Sequence, residues 1–263
     1  MRLVFFSLLL CSTILLAGCG NSSSNNGNSS STTPGALSGN WQMSLLPTGK
    51  TLAKTQSGFL LQSGNNVSGG LMVLDSPCSG VGNVMGTIDS TGVSLTVNPT
   101  QLQITLTGTV GSDQKSMSGD FNMLEFGCSG TSSAPLSGTW TADLVAPLKG
   151  KIQGTFTSQE GVTYPVAGQI SQGPNTGIST ATLAGNVTVS GYCFFGASFT
   201  GTVSGTTLVL NLLNPDGSQA GQMPGTSSID GTSITGKYIL KAQPNAPPPC
   251  RGGEGGTFAF SLS

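Results

Sequence analysis

Ten carboxylates, six cysteines and no histidine are the groups from which any chemistry of this 263-residue chain would have to be built. Without an imidazole there is no Ser-His-Asp or Cys-His nucleophile, no His-ligated metal and no histidine general base. Two carboxylates could still hydrolyse a glycosidic bond if they lay about 5 to 10 Å apart across a cleft. Acid–base chemistry by Asp and Glu is therefore the first catalytic possibility to weigh.

The best candidate pair for that chemistry is Asp120 and Glu125. On a strand, Asp120 is out of phase with Met117 and Phe121, so it is expected to face solvent. Other Asp residues occur in turn-like sequences, where a carboxylate caps its own backbone: Asp89, Asp113, Asp216 and Asp230. We therefore predict no catalytic residues, no enzyme activity and no cofactor. A glycan-acting hydrolase is the less favoured alternative.

Charged residues are rare, since they make up 7% of the chain and leave a net charge of -1. Ordinary soluble domains contain about 25%. Nucleic acid is therefore not an expected partner, because its binding needs clustered Lys and Arg. Val, Ile, Thr and Phe recur throughout, and these residues are typical of strands. The composition predicts an all-β protein.

Self-comparison shows two copies of one unit. The segment from Leu37 to Trp41 (LSGNW) returns as Leu136 to Trp140 (LSGTW), and the chain has no other Trp. Further on, residues 78–95 match 193–210, and residues 108–121 match 225–238. The repeat predicts two tandem β domains at 37–134 and 135–263, each of a size at which one core closes.

Each copy carries two cysteines, which are Cys78 and Cys128 in the first and Cys193 and Cys250 in the second. Four cysteines allow three pairings. Their equivalent positions favour Cys78 with Cys128 and Cys193 with Cys250. In an exported protein such bridges would stabilise the fold by about 3 to 4 kcal/mol each. Metal binding is the alternative, but without His or C-x-x-C spacing we predict no metal site.

An apolar-x-Gly-x-apolar pattern recurs in both copies, for example from Val84 to Ile88 and from Phe199 to Val203. On a strand the Gly and the apolar residues share one face, so the Gly faces the core. Inward Gly permits the sharp coiling that closes a barrel. We expect each copy to be an antiparallel up-and-down meander of about six to eight strands, forming a small barrel or a strongly coiled sandwich.

The first 18 residues have the pattern of an export signal, with a charged Arg2 followed by an apolar run. Leu16-Ala17-Gly18-Cys19 resembles the lipobox of bacterial lipoproteins. This resemblance implies cleavage after Gly18, a diacylglyceryl group on the Cys19 sulfur and acylation of the new amino terminus. A plain secretory signal with a chance cysteine is the alternative.

The residue after the cysteine is Gly20 rather than Asp, and the lipoprotein pattern then implies the outer membrane. Segment 19–36 is rich in Ser, Asn and Thr. Such a composition cannot bury a core, so we expect a disordered, lipidated tether. The domains would face the periplasm or the cell surface.

The Gly-x-Trp that opens each copy resembles the first strand of calycins, the lipocalin and avidin barrels, in which this Trp packs at one end. The resemblance implies that role for Trp41 and Trp140, while ordinary core packing is the alternative. We predict a non-catalytic, membrane-anchored envelope lipoprotein with a structural or surface-interaction role and a protein or polysaccharide partner. The alternative is a calycin-like carrier of a small apolar molecule or glycan.

Overall fold

The computed structural model describes residues 37–74, 78–126, 135–190, 196–242 and 253–263. These residues form sixteen strands arranged as two closed barrels, each with eight antiparallel strands in up-and-down order. The all-β prediction is confirmed, and of the two predicted shapes the barrel is the observed one. The described residues contain no helix that could cross a bilayer.

Barrel 1 consists of β1 (Gly39–Pro47), β2 (Lys54–Ser63), β3 (Asn66–Val73), β4 (Gly80–Asp89), β5 (Gly92–Asn98), β6 (Leu102–Val110), β7 (Ser116–Glu125) and β8 (Leu136–Val145). Barrel 2 consists of β9 (Gly150–Ser158), β10 (Thr163–Gln172), β11 (Ala181–Val189), β12 (Gly196–Ser204), β13 (Thr207–Leu213), β14 (Gln219–Ser227), β15 (Ser233–Leu240) and β16 (Glu254–Leu262). Buried and more exposed residues alternate along most strands, as in β5, because one face lines the barrel interior.

Strand β8 belongs to barrel 1, so the boundary between the two domains lies further along the chain than predicted. It pairs with both β7 and β1, so it closes barrel 1. A barrel closes only when its last strand pairs with its first, and segment 37–134 contains seven strands. The predicted division at 134/135 therefore has to be corrected to the linker 146–149.

The two copies of the repeat are confirmed, but the predicted match between the Trp41 and Trp140 segments is wrong. Trp41 on β1 and Trp140 on β8 lie in the same barrel, on neighbouring strands. The Gly-Thr-Trp of β8 instead corresponds to Gly-Thr-Phe, ending at Phe258, on β16. The predicted matches between β4–β7 and β12–β15 are confirmed, since each of these strands lies eight places from its copy.

Barrel 1 is filled by its own side chains. Trp41 and Trp140 are 0% and 1% exposed, and they pack with Phe121 and many aliphatic residues. The Trp41 Nε1 donates to the Leu37 carbonyl (2.9 Å), and the Trp140 Nε1 donates to the Thr107 carbonyl (3.1 Å). An eight-stranded barrel is just wide enough for side chains to fill, and these two indoles are among the largest fully buried side chains inside barrel 1.

Barrel 2 replaces the two Trp with a cluster of four rings, those of Phe156, Tyr238, Phe258 and Phe260. Neighbouring rings have centroids 4.7 to 6.4 Å apart in tilted or edge-on arrangements, the range in which aromatic pairs attract. The interiors of both barrels are therefore apolar cores.

The recurrent Gly residues mark places where strands coil tightly. At Gly86 a methyl group would overlap the carbonyl oxygen of Ser94, and at the equivalent Gly201 it would overlap that of Val209. Both carbonyls belong to the neighbouring strand. The predicted role of Gly in barrel closure agrees with this close approach.

Of the four repeat cysteines, the structure describes Cys78, which is buried and disulfide-bonded. Cys128, Cys193 and Cys250 lie outside the described residues. The pairings of Cys78 with Cys128 and of Cys193 with Cys250 stay predictions. The predicted signal, the tether and the lipid-bearing Cys19 also lie outside the described residues.

Candidate functional site

The two barrels meet through the outer face of β1 and β2. Asn40, on β1, points away from the barrel 1 core and is 3% exposed. Its side-chain Nδ2 donates to the Gly205 carbonyl (2.8 Å), and its Oδ1 accepts from the Gly205 N–H (2.7 Å). Gly205 lies in the β12–β13 turn, so this turn of barrel 2 is held by one amide side chain of barrel 1.

Polar contacts continue along the β12–β13 hairpin, which contains this turn. The Gln42 Oε1 accepts hydrogen bonds from the backbone N–H and the hydroxyl of Thr206, at 3.0 and 3.2 Å. The hydroxyls of Ser57 and Ser204 lie 2.8 Å apart. These contacts fix the register of the hairpin against β1 and β2.

Phe59 provides the apolar part of the contact. It lies on β2 beside Leu60, which points into barrel 1, yet its ring is 2% exposed and packs in the core cluster of barrel 2. Next to it, the Asn175 Nδ2 in the β10–β11 loop donates to the Leu60 carbonyl (2.7 Å). Barrel 1 thus inserts one aromatic ring into the apolar surface of barrel 2.

Close approach of the two barrels requires Gly on both sides. A methyl group on Gly70 of β3 would lie 2.8 Å from the Ser179 nitrogen. Gly205 has a φ of 56°, and a methyl group there would overlap the Gln42 side chain and lie 2.6 Å from the Ser57 Cβ. The interface is therefore closely packed as well as hydrogen-bonded.

A cavity of about 1350 Å³ opens beside this interface, and we call it the inter-barrel cleft. Barrel 1 contributes the β6–β7 loop, the end of β8 and the start of β1; barrel 2 contributes the β10–β11 loop and the β14–β15 turn. The linker joins the two sides, since the Ala146 N–H donates to the Ile229 carbonyl (2.8 Å). Its size is that of a ligand site rather than of a packing defect.

The cleft concentrates charge in a chain that has little. The whole chain has 9 Lys and Arg and 10 Asp and Glu, and five of these residues line the cleft. They are Asp113, Lys115, Asp143, Lys149 and Asp230. Charges of both signs are therefore present on the walls of the cleft.

Equivalent turns of the two repeats lie on opposite sides of the cleft. The Asp113 Oδ1 accepts from the Lys115 N–H (2.9 Å), and the Asp230 Oδ1 accepts from the Thr232 N–H (3.1 Å). Gln114 takes a positive φ of 58° where the second copy has Gly231 at 70°. The predicted turn role of both Asp residues is confirmed, and the duplication has placed both turns at one cleft.

These two carboxylates are poor general acids. The Lys115 backbone N–H, with the Ser116 hydroxyl, holds the pKa of Asp113 below its usual value. The hydroxyls of Ser228 and Thr232 lower the pKa of Asp230. A glycosidase acid needs a raised pKa so that it carries a proton near neutrality. Both groups are instead suited to binding as anions.

Three other charged groups of the cleft have no protein partner. Within the part of the chain that the structure describes, the side chains of Lys115, Asp143 and Lys149 form no hydrogen bond or ion pair, and all three are exposed. Among the same residues, no group of three or more His, Cys, Asp or Glu could hold a metal ion. The geometry therefore offers free charges for binding.

The residues singled out from the sequence lie elsewhere. Trp41 and Trp140 are inside barrel 1. Asp120 is exposed on β7, as predicted, and Glu125 ends that strand, at the opposite end from Ser116, which lines the cleft. None of the predicted site residues that the structure describes lines the cleft, although two of the Asp residues predicted for turns, Asp113 and Asp230, do.

The sequence did contain one sign of the interface. From Gly58 to Leu61 the alternation of β2 fails, and the burial pattern shows five consecutive buried residues from Gln56 to Leu60. Such a run indicates a strand covered on both faces. Nothing local marks Asp143 or Lys149, whose importance comes from the juxtaposition of two barrels.

The sequence matches no known protein-family description and no curated protein sequence. Among solved structures, kievitone hydratase from Nectria haematococca overlaps with 88% of this chain and 91% of its own chain, at 10% identity and a TM-score of 0.24. An overlap this low establishes no shared fold.

Proposed function

We propose that this protein is a non-catalytic, exported lipoprotein, anchored through Cys19 to the outer membrane, that acts by binding a molecule in the inter-barrel cleft. The observation that carries the proposal is the cleft itself, where five charged residues of a charge-poor chain line one cavity of about 1350 Å³. Exposed charged side chains are ordinarily solvated by water, but several of them on the walls of one cavity also supply the polar groups that orient a ligand.

The filled barrels favour this site over the barrel interiors. A lipocalin-like carrier needs space inside a barrel, whereas large apolar side chains occupy both interiors here. The interface hydrogen bonds of Asn40 and Gln42 hold the two walls of the cleft in place. Such preorganisation reduces the entropic cost of binding.

A second candidate follows from the same filled barrels. A protein made of two apolar cores with polar, uncharged outer faces would also suit an envelope building block that contacts protein or polysaccharide. This candidate does not need the cleft, whereas the binding proposal depends on it.

Native mass spectrometry separates the two candidates. The protein is purified gently from its own envelope fraction, together with Lys149→Gln and, as a matched control remote from the cleft, Lys237→Gln. A small-mass adduct on the wild type and the control that is lost from Lys149→Gln supports binding. A clean mass for all three contradicts it and favours the building block.

The anchor is tested separately. Cys19→Ala should release the protein from membranes, because the proposed diacylglyceryl attachment needs that sulfur. Continued membrane association of this variant in carbonate-washed fractions would exclude the lipoprotein proposal and leave the cleft proposal untouched.

A further inference from the structure

The free charges of the cleft indicate the class of its ligand, and this inference rests on the proposed function. Asp143 ends the polar face of β8, Lys115 precedes β7, and Lys149 lies in the linker. The Leu144 N–H donates to the Lys115 carbonyl (2.8 Å), which brings the end of β8 next to the residue that carries one ammonium. A ligand that pairs with charges of both signs carries a cationic group, such as an ammonium, and an anionic group.

Apolar surface lies beside these charges. Leu144 is half-buried against the core of barrel 1, Ile229 is 40% exposed, and the buried Phe59 also lines the cleft. The hydrogen bond from the Ala146 N–H in the linker to the Ile229 carbonyl holds these apolar residues, the apolar strip, beside the charged ones. The lining is thus amphipathic, which fits a ligand with an apolar body and a charged head.

The size of the cleft and the burial of its aromatic ring narrow the range of possible ligands further. Pockets for drug-sized ligands measure about 300 to 1000 Å³, so a cleft of about 1350 Å³ has room for a larger molecule. A neutral glycan would be expected to stack on an accessible aromatic face, but Phe59, the aromatic residue that lines the cleft, is 2% exposed. The amphiphile is therefore favoured over the glycan.

The position of the tether favours a membrane source. The chain enters barrel 1 at Leu37, next to Ser38 and Asn40 in the cleft lining. Only residues 19–36 separate that point from the proposed anchor. If this segment is the flexible tether that the sequence predicts, its root-mean-square span is roughly 25 Å, and the proposed anchor would keep the cleft near the membrane surface.

We infer that the inter-barrel cleft binds a zwitterionic phospholipid, with Asp143 facing its ammonium, Lys115 and Lys149 its phosphate, and Leu144 and Ile229 its acyl chains. The structure places the complementary groups of both signs and the apolar strip in a single cavity.

Calorimetric titration tests the inference on the processed but unlipidated chain, Gly20–Ser263, which keeps every described residue. The probe is dihexanoyl phosphatidylethanolamine below its micellar concentration. Dihexanoyl phosphatidylglycerol is compared because it has the phosphate without the ammonium. We expect saturable binding of the zwitterion, weakened about fivefold by Asp143→Asn or Lys149→Gln and unchanged by the exposed controls Asp120→Asn and Lys237→Gln.

Asp143→Asn supplies the sharpest comparison, since it should weaken the zwitterion and leave phosphatidylglycerol binding equal or stronger. The inference is overturned if the wild type binds both lipids with equal affinity. It is also overturned if neither Asp143→Asn nor Lys149→Gln changes the affinity for the zwitterion. If neither lipid binds but the native adduct is lost from Lys149→Gln, the ligand class is wrong and the proposed function stands. If the native adduct is a peptide or a glycan, the lipid is likewise excluded.

Discussion

The side-chain amide of Asn40 and the peptide group of Gly205, which lie in different barrels and 165 residues apart in sequence, exchange two hydrogen bonds of 2.8 and 2.7 Å. An amide side chain here substitutes for a neighbouring strand, because it offers one donor and one acceptor to the same residue. Both groups are buried, so losing either partner leaves an unpaired polar group away from water. This contact is the most specific feature of the interface.

Gly205→Ala should destabilise the protein more than Gly64→Ala. Both residues have nearly the same left-handed conformation, with φ of 56° and 59°, so each substitution carries a similar backbone cost of about 1 to 2 kcal/mol. Only at Gly205 would the new methyl group also overlap another side chain, that of Gln42, while the space at Gly64 is open. Urea denaturation measures the difference, and equal midpoints for the two variants would contradict the described interface.

Phe59→Ala should lower the free energy of unfolding by about 3 to 5 kcal/mol, the cost of deleting a buried aromatic ring. Phe126→Ala is the control, because Phe126 is 58% exposed, and its substitution should change stability by about 0.5 kcal/mol or less. If Phe59 anchors the interface, chemical denaturation of its variant should also separate into two transitions, one for each barrel. A single transition with unchanged midpoint would argue against that role.

Much of the fold could be predicted from local patterns. Alternation on β5 and β6, turn residues such as Asp89 and the recurrent inward Gly all follow from the chemistry of a coiled antiparallel sheet. The domain boundary could not be predicted this way, because LSGNW and LSGTW resemble each other as neighbouring strands of one barrel. Sequence similarity does not distinguish such neighbours from copies.

The cleft could not be predicted from local sequence patterns for a different reason. Asp143 and Lys149 gain their significance from the way that linker 146–149 and two hairpins bring the barrels together. Their spacing in the sequence resembles that of any exposed strand end. Asp113 and Asp230 were identified as turn residues, but their meeting at one cavity depends on the packing of the two repeats.

The corrected boundary predicts which fragment folds. Residues 37–149 contain all eight strands of barrel 1, whereas residues 37–134 lack β8 and leave β1 and β7 as open edges. The longer fragment should show blue-shifted fluorescence from buried Trp41 and Trp140, with a cooperative thermal transition. The shorter one should aggregate through its edges. A folded, monomeric 37–134 fragment would contradict the closure of barrel 1 by β8.

Stability should be flat from about pH 5 to 8 and fall below about pH 4. The chain has no His to titrate near neutrality. Hydrogen bonds within their turns lower the pKa of Asp89, Asp113, Asp216 and Asp230. A lowered folded pKa means stability that is present above the unfolded value of 3.8 and lost as pH falls through the folded value.

The control for that pH dependence replaces all four Asp residues by Asn, which should flatten the acid limb of the curve measured by urea midpoint. The midpoint at pH 7 should fall as well, because Asn forms weaker hydrogen bonds with the turn donors than a carboxylate does. A loss of stability between pH 6 and 7 would show that a group other than these four Asp residues controls the pH dependence.

Gln56→Met should stabilise the protein, although the same substitution at Gln62 should destabilise it. Both side chains belong to β2, but Gln56 is 0% exposed, and within the described residues neither polar atom of its amide has a hydrogen-bond partner. The Gln62 amide, in contrast, accepts from the Leu37 N–H (3.0 Å) and donates to the Gly64 carbonyl (2.9 Å).

An unpaired buried polar group costs about 1 to 3 kcal/mol, whereas Met fills a similar volume with no such group. We therefore expect Gln56→Met to raise the free energy of unfolding by about 1 to 2 kcal/mol and Gln62→Met to lower it by about 1 kcal/mol, both measured by urea denaturation. The expected gain follows because Gln56 points into the apolar core of barrel 1, where the second copy places Val166. A destabilised Gln56→Met would contradict the unpaired amide and indicate a hydrogen-bond partner inside the barrel, such as a buried water, which crystallography of the wild-type protein would identify.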